Sequence, residues 1–343
     1  MYLEEFLEEW NNDSPFVEVK TSGSTGEPKR MMVEKRRMLA SARITCDFLG
    51  LRPGDTALLC MSLDYIAGKM MVVRSIERGL KLITVAPSGH PLGDGSNPSP
   101  LTPNPSFAAM VPLQVYNTLQ VPEERERLKQ IRHLIIGGGA IDDSLADELK
   151  DFPNNVWSTY GMTETLSHIA LRRLNGPEAS LWYTPFPSVQ LSLSDEGCLI
   201  IHAPEVCPEP LVTNDIAEIS HNGRSALPLA TGGTREHPRC EKFRILGRKD
   251  NVICSGGLKI QAEELERQLR PHMSVPFVIS KRADEKFGEI VVLITEGSPS
   301  DARTICERIL PKFHQPKVYL HIDQIPLTQT GKPARQIIKD IVT

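Results

Sequence analysis

The sequence lacks long apolar runs and blocks of charge of one sign. None of the apolar stretches in its 343 residues approaches the ~20 residues that a membrane-spanning helix needs. The formal net charge is −4, with no long basic block, so the sequence offers no electrostatic footprint for nucleic acid or an anionic membrane. We also find no internal repeat. These absences favour a protein with no membrane insertion and no nucleic-acid partner, whose partners are small molecules.

Paired cysteines are also missing. The seven cysteines are scattered, odd in number and never spaced as C-x-x-C: Cys46, Cys60, Cys198, Cys207, Cys240, Cys254 and Cys306. This pattern excludes a disulfide framework and a zinc knuckle. The acidic start MYLEEFLEEW is unlike a signal peptide, and its apolar residues at helical spacing predict a docking helix. We expect a cytoplasmic protein.

The pattern of the chain predicts an α/β protein with two domains. From residue 16 to about 174, short apolar runs alternate with helical stretches, which favours parallel sheet covered by helices. From about 181 to 246, shorter strands with turns predict a smaller antiparallel sheet or barrel. The remainder, from about residue 251, mixes strands and helices as a small α+β unit. We place the large domain at 1–247, a hinge at 248–250 and the small domain at 251–343.

The strongest local signal is the segment TSGSTGEPK that directly follows the predicted strand FVEV. Glycines allow close approach to a phosphate, and hydroxyl and backbone N–H groups supply donors for its oxygens. The Walker pattern does not apply, because the glycines are too close together and Arg30 follows the lysine. The predicted phosphate-binding residues are Thr21, Ser22, Gly23, Ser24, Thr25, Gly26 and Lys29. The alternative is a flexible Ser/Gly turn.

Two further loops follow predicted strands. The run HLIIGGGA, residues 133–140, is a buried strand ending in glycines against which a planar group could lie; a packing turn is the alternative. The run YGMTE, residues 160–164, combines an aromatic ring, a hydroxyl and a carboxylate that could bind a base, a phosphate oxygen and Mg²⁺. Its alternative is an ordinary strand-to-loop turn. Ligand loops are expected at the carboxyl ends of parallel strands.

Taken in order, these loops resemble motifs of the adenylate-forming superfamily of acyl-CoA synthetases, peptide-synthetase adenylation domains and luciferases. Three later segments extend the resemblance. The run TND at 213–215 is similar to a Thr-Gly-Asp motif, with Asn214 in place of glycine. Residues 243–266 resemble the hinge and thioesterification motif, and PLTQTGK at 326–332 resembles the C-terminal motif that carries a catalytic lysine.

The resemblance implies Mg²⁺ as cofactor and ATP and coenzyme A as co-substrates. The reaction it implies has two steps, in which a carboxylic acid becomes an acyl-adenylate and then an acyl-CoA. For ATP it implies these residues: the phosphate loop, Gly138, Gly139 and Ala140 beside adenine, Tyr160 and Gly161, Thr163 on the α-phosphate, Glu164 on Mg²⁺, Asp215 on ribose, and Arg248. For catalysis and domain rotation it implies Lys332 and the hinge Asp250, and for the coenzyme A tunnel Ser255, Gly256, Gly257 and Lys259. A solvated lysine is the alternative for Lys259.

The phosphate loop begins at residue 21, so an N-terminal subdomain usual in the superfamily is expected to be mostly absent. Short chains of this kind resemble the o-succinylbenzoate–CoA ligase branch of menaquinone biosynthesis. In that branch the acyl-pocket helix begins with His-x-Ser-Gly and has an arginine nine residues after the histidine. Here Tyr65 replaces the histidine, and Gly68 and Arg74 complete the predicted acyl pocket. The alternative for Arg74 is a surface arginine on an amphipathic helix.

Two other functions remain open at this stage. One is a stand-alone adenylation domain that loads a carrier-protein thiol, which the motifs do not separate from a coenzyme A ligase. The other is a non-catalytic nucleotide-binding module, against which the presence of both Glu164 and Lys332 argues. A monomer and a homodimer are equally compatible with the sequence.

Overall fold

The computed structural model describes residues 1–20, 30–93, 104–139, 141, 143–221, 224–226, 240–328 and 333–342. The helices of these ranges are α1 Leu3–Asn11, α2 Lys35–Leu49, α3 Ile66–Arg78, α4 Pro112–Leu119, α5 Pro122–Lys129, α6 Asp143–Leu149, α7 Ala262–Leu269, α8 Pro299–Ile309 and α9 Arg335–Val342. The strands are β1 Phe16–Lys20, β2 Arg30–Glu34, β3 Thr56–Leu59, β4 Lys81–Thr84, β5 Phe107–Met110, β6 His133–Ile136, β7 Asn155–Gly161, β8 His168–Arg173, β9 Thr184–Pro185, β10 Gln190–Leu193, β11 Cys198–Ala203, β12 Cys207–His221, β13 Arg224–Ala226, β14 Lys242–Arg248, β15 Val252–Ser255, β16 Leu258–Gln261, β17 Phe277–Asp284, β18 Gly288–Thr295 and β19 Val318–His321.

Two compact units divide the chain. The first consists of residues 1–191, 201–211 and 238–243, and the second of residues 192–200, 212–237 and 244–343. The sequence places a boundary at 247–250, and this boundary stays a prediction, because the second unit also draws on two earlier segments.

The first unit contains a seven-stranded sheet in the order β4-β3-β5-β6-β7-β8-β9. Its first five strands are parallel, as the alternation of strands and helices predicts, and β8 and β9 are added antiparallel. Strand β3 is buried along its whole length, in keeping with a parallel strand covered on both faces. A smaller sheet has the order β10-β11-β12-β13, with β14 beside β12.

The predicted docking helix is α1. Its Phe6 is fully buried and Trp10 is 9% exposed, since the two lie one turn apart on the apolar face. The buried ammonium of Lys69 on α3 fixes this helix: Nζ lies 3.2 Å from Glu9 Oε2 and donates to the carbonyl oxygen of Glu18 at 2.7 Å. Helix α1 is therefore held by apolar burial and by one shielded ion pair.

The second unit contains the sheet β16-β15-β18-β17, with β19 beside β18. The continuous apolar run of β18 alternates between two cores. Val291 and Leu293 join the cluster that contains α7 and α8 residues, whereas Val292 and Ile294 join the cluster that contains Ile338 of α9. A strand whose two faces are both covered needs such an uninterrupted apolar sequence.

One strand is not evident from the sequence pattern. Residues 30–34 form β2, which pairs antiparallel with β1 from Phe16↔Glu34 to Lys20↔Arg30. Helix α2 begins only at Lys35. The β-pairing of RMMVE with β1 overrides the helical preference of its methionines.

Candidate active site

Two of the predicted ligand loops lie at the same edge of the large sheet. Strands β6 and β7 are parallel neighbours, with Ile136 opposite Ser158. Gly138 and Gly139 therefore leave the sheet beside the strand end that carries Tyr160. Ala140 lies outside the described residues. The structure brings the glycine loop and the YGMTE loop together, as their position after parallel strands predicts.

The turn after β7 is folded back tightly on β8. A β-carbon on Gly161 would lie 2.3 Å from the carbonyl oxygen of Ser167, so only glycine fits. The hydroxyl of Thr165 accepts from the backbone N–H of Met162 at 3.1 Å and lies 2.8 Å from the Ser167 carbonyl oxygen. Leu166 is buried with φ +65°. This closed turn leaves Thr163 half-buried and Glu164 exposed.

Tyr160 belongs to a group of three aromatic rings. Its ring centroid lies 5.2 Å from that of Phe243 and 5.9 Å from that of Tyr183. The hydroxyls of Tyr183 and Ser158 lie 2.8 Å apart. These tilted and edge-to-face contacts fix the half-buried ring of Tyr160.

The predicted phosphate loop is bracketed by a hairpin. Residues 21–29 lie outside the described residues, and the strands on either side of them are β1 and β2. Lys20 and Arg30 form the last pair of the hairpin register. Lys20 also forms a parallel bridge with Tyr65, so the end of β1 lies beside the start of α3, where the acyl pocket is predicted.

Arg74 is not the surface arginine that the alternative interpretation assumed. Its side chain is 2% exposed, and burial lowers the pKa of its guanidinium to about 10. Nη2 donates to Ser167 Oγ at 2.5 Å, and Nη1 lies 3.8 Å from the Met71 sulfur. Nε has no partner in the part of the chain that the structure describes. Arg74 is thus a buried cation with incomplete hydrogen bonding.

Other predicted residues of the acyl pocket have mainly structural surroundings. Tyr65 is the N-cap residue of α3. Gly68 is buried in the first turn, where a β-carbon would lie 2.2 Å from the carbonyl oxygen of Ser62. Gly68 therefore faces backbone rather than open space.

Two polar residues beside Arg74 were missed by the sequence analysis. Ser167 Oγ lies 3.2 Å from Nδ1 of His168, and Nε2 of His168 lies 3.1 Å from Thr45 Oγ1. Burial, with a contribution from Arg74, holds the pKa of His168 well below its usual value. The available signal was their position shortly after the YGMTE motif, with His168 as the first residue of β8.

In the second unit the predicted ribose and hinge residues form one group. Thr213 is buried, and its hydroxyl donates to the Leu199 carbonyl oxygen at 2.9 Å and accepts from the N–H of Asp215 at 3.1 Å. Arg248 lies 3.4 Å from Asp215 Oδ1 and 3.1 Å from Asp250 Oδ2. A buried threonine thus orients Asp215, and one guanidinium contacts both carboxylates.

The departure from glycine at position 214 has a structural consequence. The amide of Asn214 donates to Asp250 Oδ2 at 3.3 Å, a contact that glycine cannot make. Arg248 and Asp250 are both about half exposed, so these contacts are individually weak.

Comparison with known proteins agrees with this geometry. The model of the AMP-binding enzyme family matches residues 5–202, which is more than half of the chain and includes the phosphate-loop segment and YGMTE. The chain belongs to the AMP-binding enzyme family.

Individual members of the family extend the similarity over nearly the whole chain. An acyl-CoA synthetase (AMP-forming)/AMP-acid ligase II-like protein from Dyadobacter fermentans is 30% identical, with 99% of this chain and 93% of that one covered and a TM-score of 0.63. A 2-succinylbenzoate–CoA ligase of Bacillus thuringiensis is 24% identical over 98% of this chain and 72% of its own length. O-succinylbenzoate coenzyme A synthetase from Bacillus subtilis, in complex with ATP and magnesium ion, is 20% identical, covers 93% of this chain and 68% of its own, and has a TM-score of 0.70.

Several predictions from sequence are thereby confirmed. The adenylate-forming fold, the assignment as an enzyme and the AMP-forming ligase family all agree with the comparisons. In the described ranges, no helix is long and apolar enough to cross a membrane.

The sequence predicts that Gly256 and Gly257 line a coenzyme A tunnel, and this stays a prediction; in the structure the two glycines form the turn of the β15–β16 hairpin. The register pairs Ser255 with Leu258, and the glycine φ values are +56° and +86°. A two-residue hairpin turn with both φ positive requires this sequence type. Lys259 is exposed and Cys254 is the one cysteine of the seven that is exposed.

Lys332, the lysine that the sequence predicts to be catalytic, lies outside the described residues. The segment that follows it is anchored: Arg335 Nη2 lies 2.7 Å from Glu266 Oε2, and Nη1 donates to the Ile279 carbonyl oxygen at 3.0 Å. Burial raises the pKa of Glu266, while Arg335 opposes that rise. This pair fixes the start of α9.

Proposed function

We propose that this AMP-binding enzyme activates o-succinylbenzoate as an acyl-adenylate and transfers the acyl group to coenzyme A. The observation that carries the proposal is Arg74, which is 2% exposed and whose Nε has no partner within the described ranges. No ion pair joins it to a carboxylate of the described residues. It stands at the spacing that the o-succinylbenzoate branch predicts.

The energetics favour an anionic ligand at this guanidinium. An unpaired buried charge is costly, and an arginine has five N–H donors and no acceptor. A carboxylate accepts two of these N–H groups side by side. o-Succinylbenzoate has two carboxylates, so one can be activated while the other binds Arg74. Relatives named 2-succinylbenzoate–CoA ligase over 98% of this chain support the choice of acid.

In the first half-reaction the acid carboxylate attacks the α-phosphorus of ATP, and pyrophosphate leaves. We assign the β- and γ-phosphates to residues 22–29, an α-phosphate oxygen to Thr163, adenine to Tyr160 and the ribose hydroxyls to Asp215. Negative charge grows on the phosphoryl oxygens during this attack, and prearranged donors stabilise it more than they stabilise the ground state. In the second half-reaction the thiol of coenzyme A attacks the acyl carbon and AMP leaves.

Magnesium fits the donor set at one position. Among the described residues no group of three or more His, Cys, Asp or Glu side chains could hold a metal alone. Glu164 is a single exposed carboxylate on a turn that Thr165 closes, and Mg²⁺ is commonly held by one or two carboxylates together with substrate phosphates. Held by Glu164, such an ion would neutralise part of the phosphate charge.

We assign Lys332 to the position between the acid carboxylate and the α-phosphate. A compact cation there relieves the repulsion between the two anions as they approach each other. Asp250 is assigned as the pivot that removes Lys332 after adenylation, and residues 255–257 with Lys259 as the coenzyme A channel. The seven cysteines are free thiols, which supports a location in the reducing cytoplasm.

Pyrophosphate exchange into ATP tests the proposal. Purified enzyme is assayed with o-succinylbenzoate and with a panel of monocarboxylic aromatic, dicarboxylic and fatty acids. We expect exchange with o-succinylbenzoate, abolished by EDTA and weakened in Glu164→Gln, which keeps the shape but removes the charge. Exchange with another acid alone would reject o-succinylbenzoate but retain the ligase. Acyl-CoA formation with free coenzyme A, compared with a phosphopantetheinylated carrier protein, decides the acceptor.

The assignment of Lys332 predicts a separation of the half-reactions. Lys332→Ala should slow adenylation about a hundredfold or more, judging from the loss of single donors at comparable anionic centres. Thioester formation from supplied acyl-adenylate should stay near the wild-type rate. Rapid-quench timing of both steps is the measurement, and equal slowing of both would refute this role.

A further inference from the structure

A continuous chain of hydrogen bonds runs from the buried Arg74 to the backbone of α2. Arg74 Nη2 contacts Ser167 Oγ at 2.5 Å, and Ser167 Oγ contacts His168 Nδ1 at 3.2 Å. His168 Nε2 contacts Thr45 Oγ1 at 3.1 Å, and Thr45 Oγ1 contacts the carbonyl oxygen of Ser41 at 3.1 Å. Thr45 is fully buried, His168 is 8% exposed and Ser167 is partly buried, so the Thr45 end of the chain is shielded from water.

The two ends of this chain fix the direction of every bond in it. The Ser41 carbonyl can only accept, so the hydrogen of Thr45 Oγ1 points to it. Thr45 Oγ1 must then accept from His168 Nε2–H, which leaves Nδ1 of the neutral ring as an acceptor. Nδ1 accepts the Ser167 hydroxyl hydrogen. The lone pairs of Ser167 Oγ are consequently available to Arg74, which can only donate.

A protonated His168 would break this arrangement. Both ring nitrogens would then donate, and Ser167 Oγ would face two cationic donors while its own hydrogen lost its acceptor. The positive charge would also lie beside Arg74. The neutral form with its proton on Nε2 is the one that satisfies all four groups, and the low pKa of His168 that burial causes agrees with it.

We propose that Thr45, His168 and Ser167 form a relay that positions the guanidinium of Arg74 for recognition of a carboxylate on the acid substrate. The inference rests on the proposed function, since it assigns Arg74 to that acid. The relay uses Nη2 and leaves Nε without a protein partner among the described residues. Hydrogen bonds that all point one way polarise one another, which strengthens the bond to Arg74. Ser167 and His168 are thus positioning residues for acid selectivity.

Two substitutions of His168 separate the relay from simple packing. Asparagine can place its amide oxygen near the position of Nδ1 and so keep the acceptor for Ser167, whereas glutamine can place its amide nitrogen near Nε2 and so keep only the donor to Thr45. The relay requires the acceptor at Nδ1, because this acceptor turns the Ser167 lone pairs toward Arg74. His168→Asn should therefore retain more function than His168→Gln.

The first measurement is steady-state pyrophosphate exchange with o-succinylbenzoate. Ser167→Ala should raise KM for the acid about tenfold to a hundredfold, the range expected for losing a hydrogen bond to a charged group. His168→Gln should raise it about tenfold and His168→Asn less than about threefold. KM for ATP should stay constant in all three. Equal effects of Asn and Gln, or an equal rise in KM for ATP, would overturn the relay.

Ser75→Ala is the matched control. Ser75 is the residue next to Arg74 on α3, is 7% exposed, and donates only to the Met71 carbonyl oxygen at 3.0 Å. The Ser75→Ala variant loses one serine hydroxyl, as Ser167→Ala does, but this hydroxyl does not belong to the relay. KM for the acid should therefore equal that of the wild type. A rise like that of Ser167→Ala would assign the effect to helix packing and overturn the relay.

The second measurement needs no substrate. Selective ¹⁵N labelling of histidine, with the His168 signals assigned by their loss in His168→Gln, reports which ring nitrogen carries the proton. We expect a neutral ring protonated on Nε2 between about pH 5.5 and 7.5, since its pKa is far below 6.5. A proton on Nδ1 would overturn the relay while leaving the proposed reaction intact. Failure of the wild type to activate o-succinylbenzoate, with the Nε2 tautomer observed, would overturn the proposed acid while leaving the relay geometry.

Discussion

Helix α3 carries two buried cations in two different regions, and the contrast between them distinguishes structure from function. Lys69 and Arg74 are both 2% exposed. Lys69 contacts Glu9, the Glu18 carbonyl and the face of Phe6 at 5.2 Å. Arg74 contacts a serine hydroxyl and a thioether, and its Nε has no partner among the described residues. A buried cation that the protein satisfies holds elements together, whereas one that it leaves unsatisfied indicates a ligand.

The largest change in KM for the acid is expected on substitution of Arg74. Arg74→Met keeps the length of the side chain and removes the charge, so KM for o-succinylbenzoate should rise about a hundredfold, equivalent to about 2.7 kcal/mol. The free energy of unfolding should stay the same or increase, because replacing an unpaired buried charge by an apolar side chain removes a desolvation cost. Exchange kinetics and urea denaturation measure the two quantities.

The contrast would fail if Arg74→Met lost both activity and stability. Such a result would make Arg74 a structural cation like Lys69. Arg74→Lys is the companion variant: it keeps the charge but loses the paired donors, so KM should lie between those of the wild type and the methionine variant.

The second-largest effect is expected at Lys69, where substitution should lower stability and leave KM unchanged, the reverse of the result expected at Arg74. Lys69→Met leaves the Glu9 carboxylate, which is 24% exposed, without its partner, and should lower the free energy of unfolding by about 2 kcal/mol. KM for the acid and for ATP should not change in the folded enzyme. Denaturation of Lys69→Met, Glu9→Gln and the double variant gives the coupling energy. If the loss of stability in the double variant equals the sum of the losses in the two single variants, Lys69 and Glu9 are not coupled.

The third and smallest expected effect is a change in stability with pH, which arises because a buried histidine, His168, lies beside Arg74. Burial lowers the pKa of His168 well below 6.5 and that of His133 to about 4. In the unfolded chain both histidines bind protons as pH falls through 6.5, while the folded protein does not. Stability is therefore full above pH 6.5 and decreases toward pH 4, by at most about 1.4 kcal/mol per pH unit for His168.

His168→Asn should flatten this dependence, leaving the smaller contribution of the half-exposed His133. Urea denaturation at half-unit steps of pH measures the slope. An unchanged slope in His168→Asn would show that His168 is protonated in the folded protein, and the region around Arg74 would then contain two adjacent cations.

Helices and strands were best predicted from the sequence where a single pattern, such as a short apolar run, marked the segment. The alternation of apolar runs and helical stretches predicted the parallel strands of the large sheet, and the apolar runs before the two glycine-containing loops are β6 and β7. Strand β2 was missed, because its pairing with β1 depends on residues on both sides of the phosphate-loop segment. Antiparallel β8 was not distinguished from the parallel strands, since a buried strand reads as an apolar run in either direction.

The candidate site was predictable as motifs but not as contacts. The residue types of YGMTE indicate a nucleotide loop, and residues 21–29 and Lys332 remain predictions outside the described residues. The environment of Arg74 could not be read from the chain, because Ser167 is 93 residues away in sequence and Thr45 lies 123 residues before His168. Only the fold brings these side chains together, and its burial of Arg74 excludes the alternative of a surface arginine.

The exposed thiol of Cys254, two residues before the glycines of the β15–β16 turn, makes the enzyme suitable for thiol labelling. Four of the other six cysteines, Cys46, Cys60, Cys240 and Cys306, have pKa values that burial raises to about 11 or 12, so a maleimide dye at neutral pH should react far more slowly with them. A fluorophore on Cys254 would sit beside the proposed coenzyme A channel. Its emission could report, in real time and in unmodified sequence, when the thiol substrate arrives.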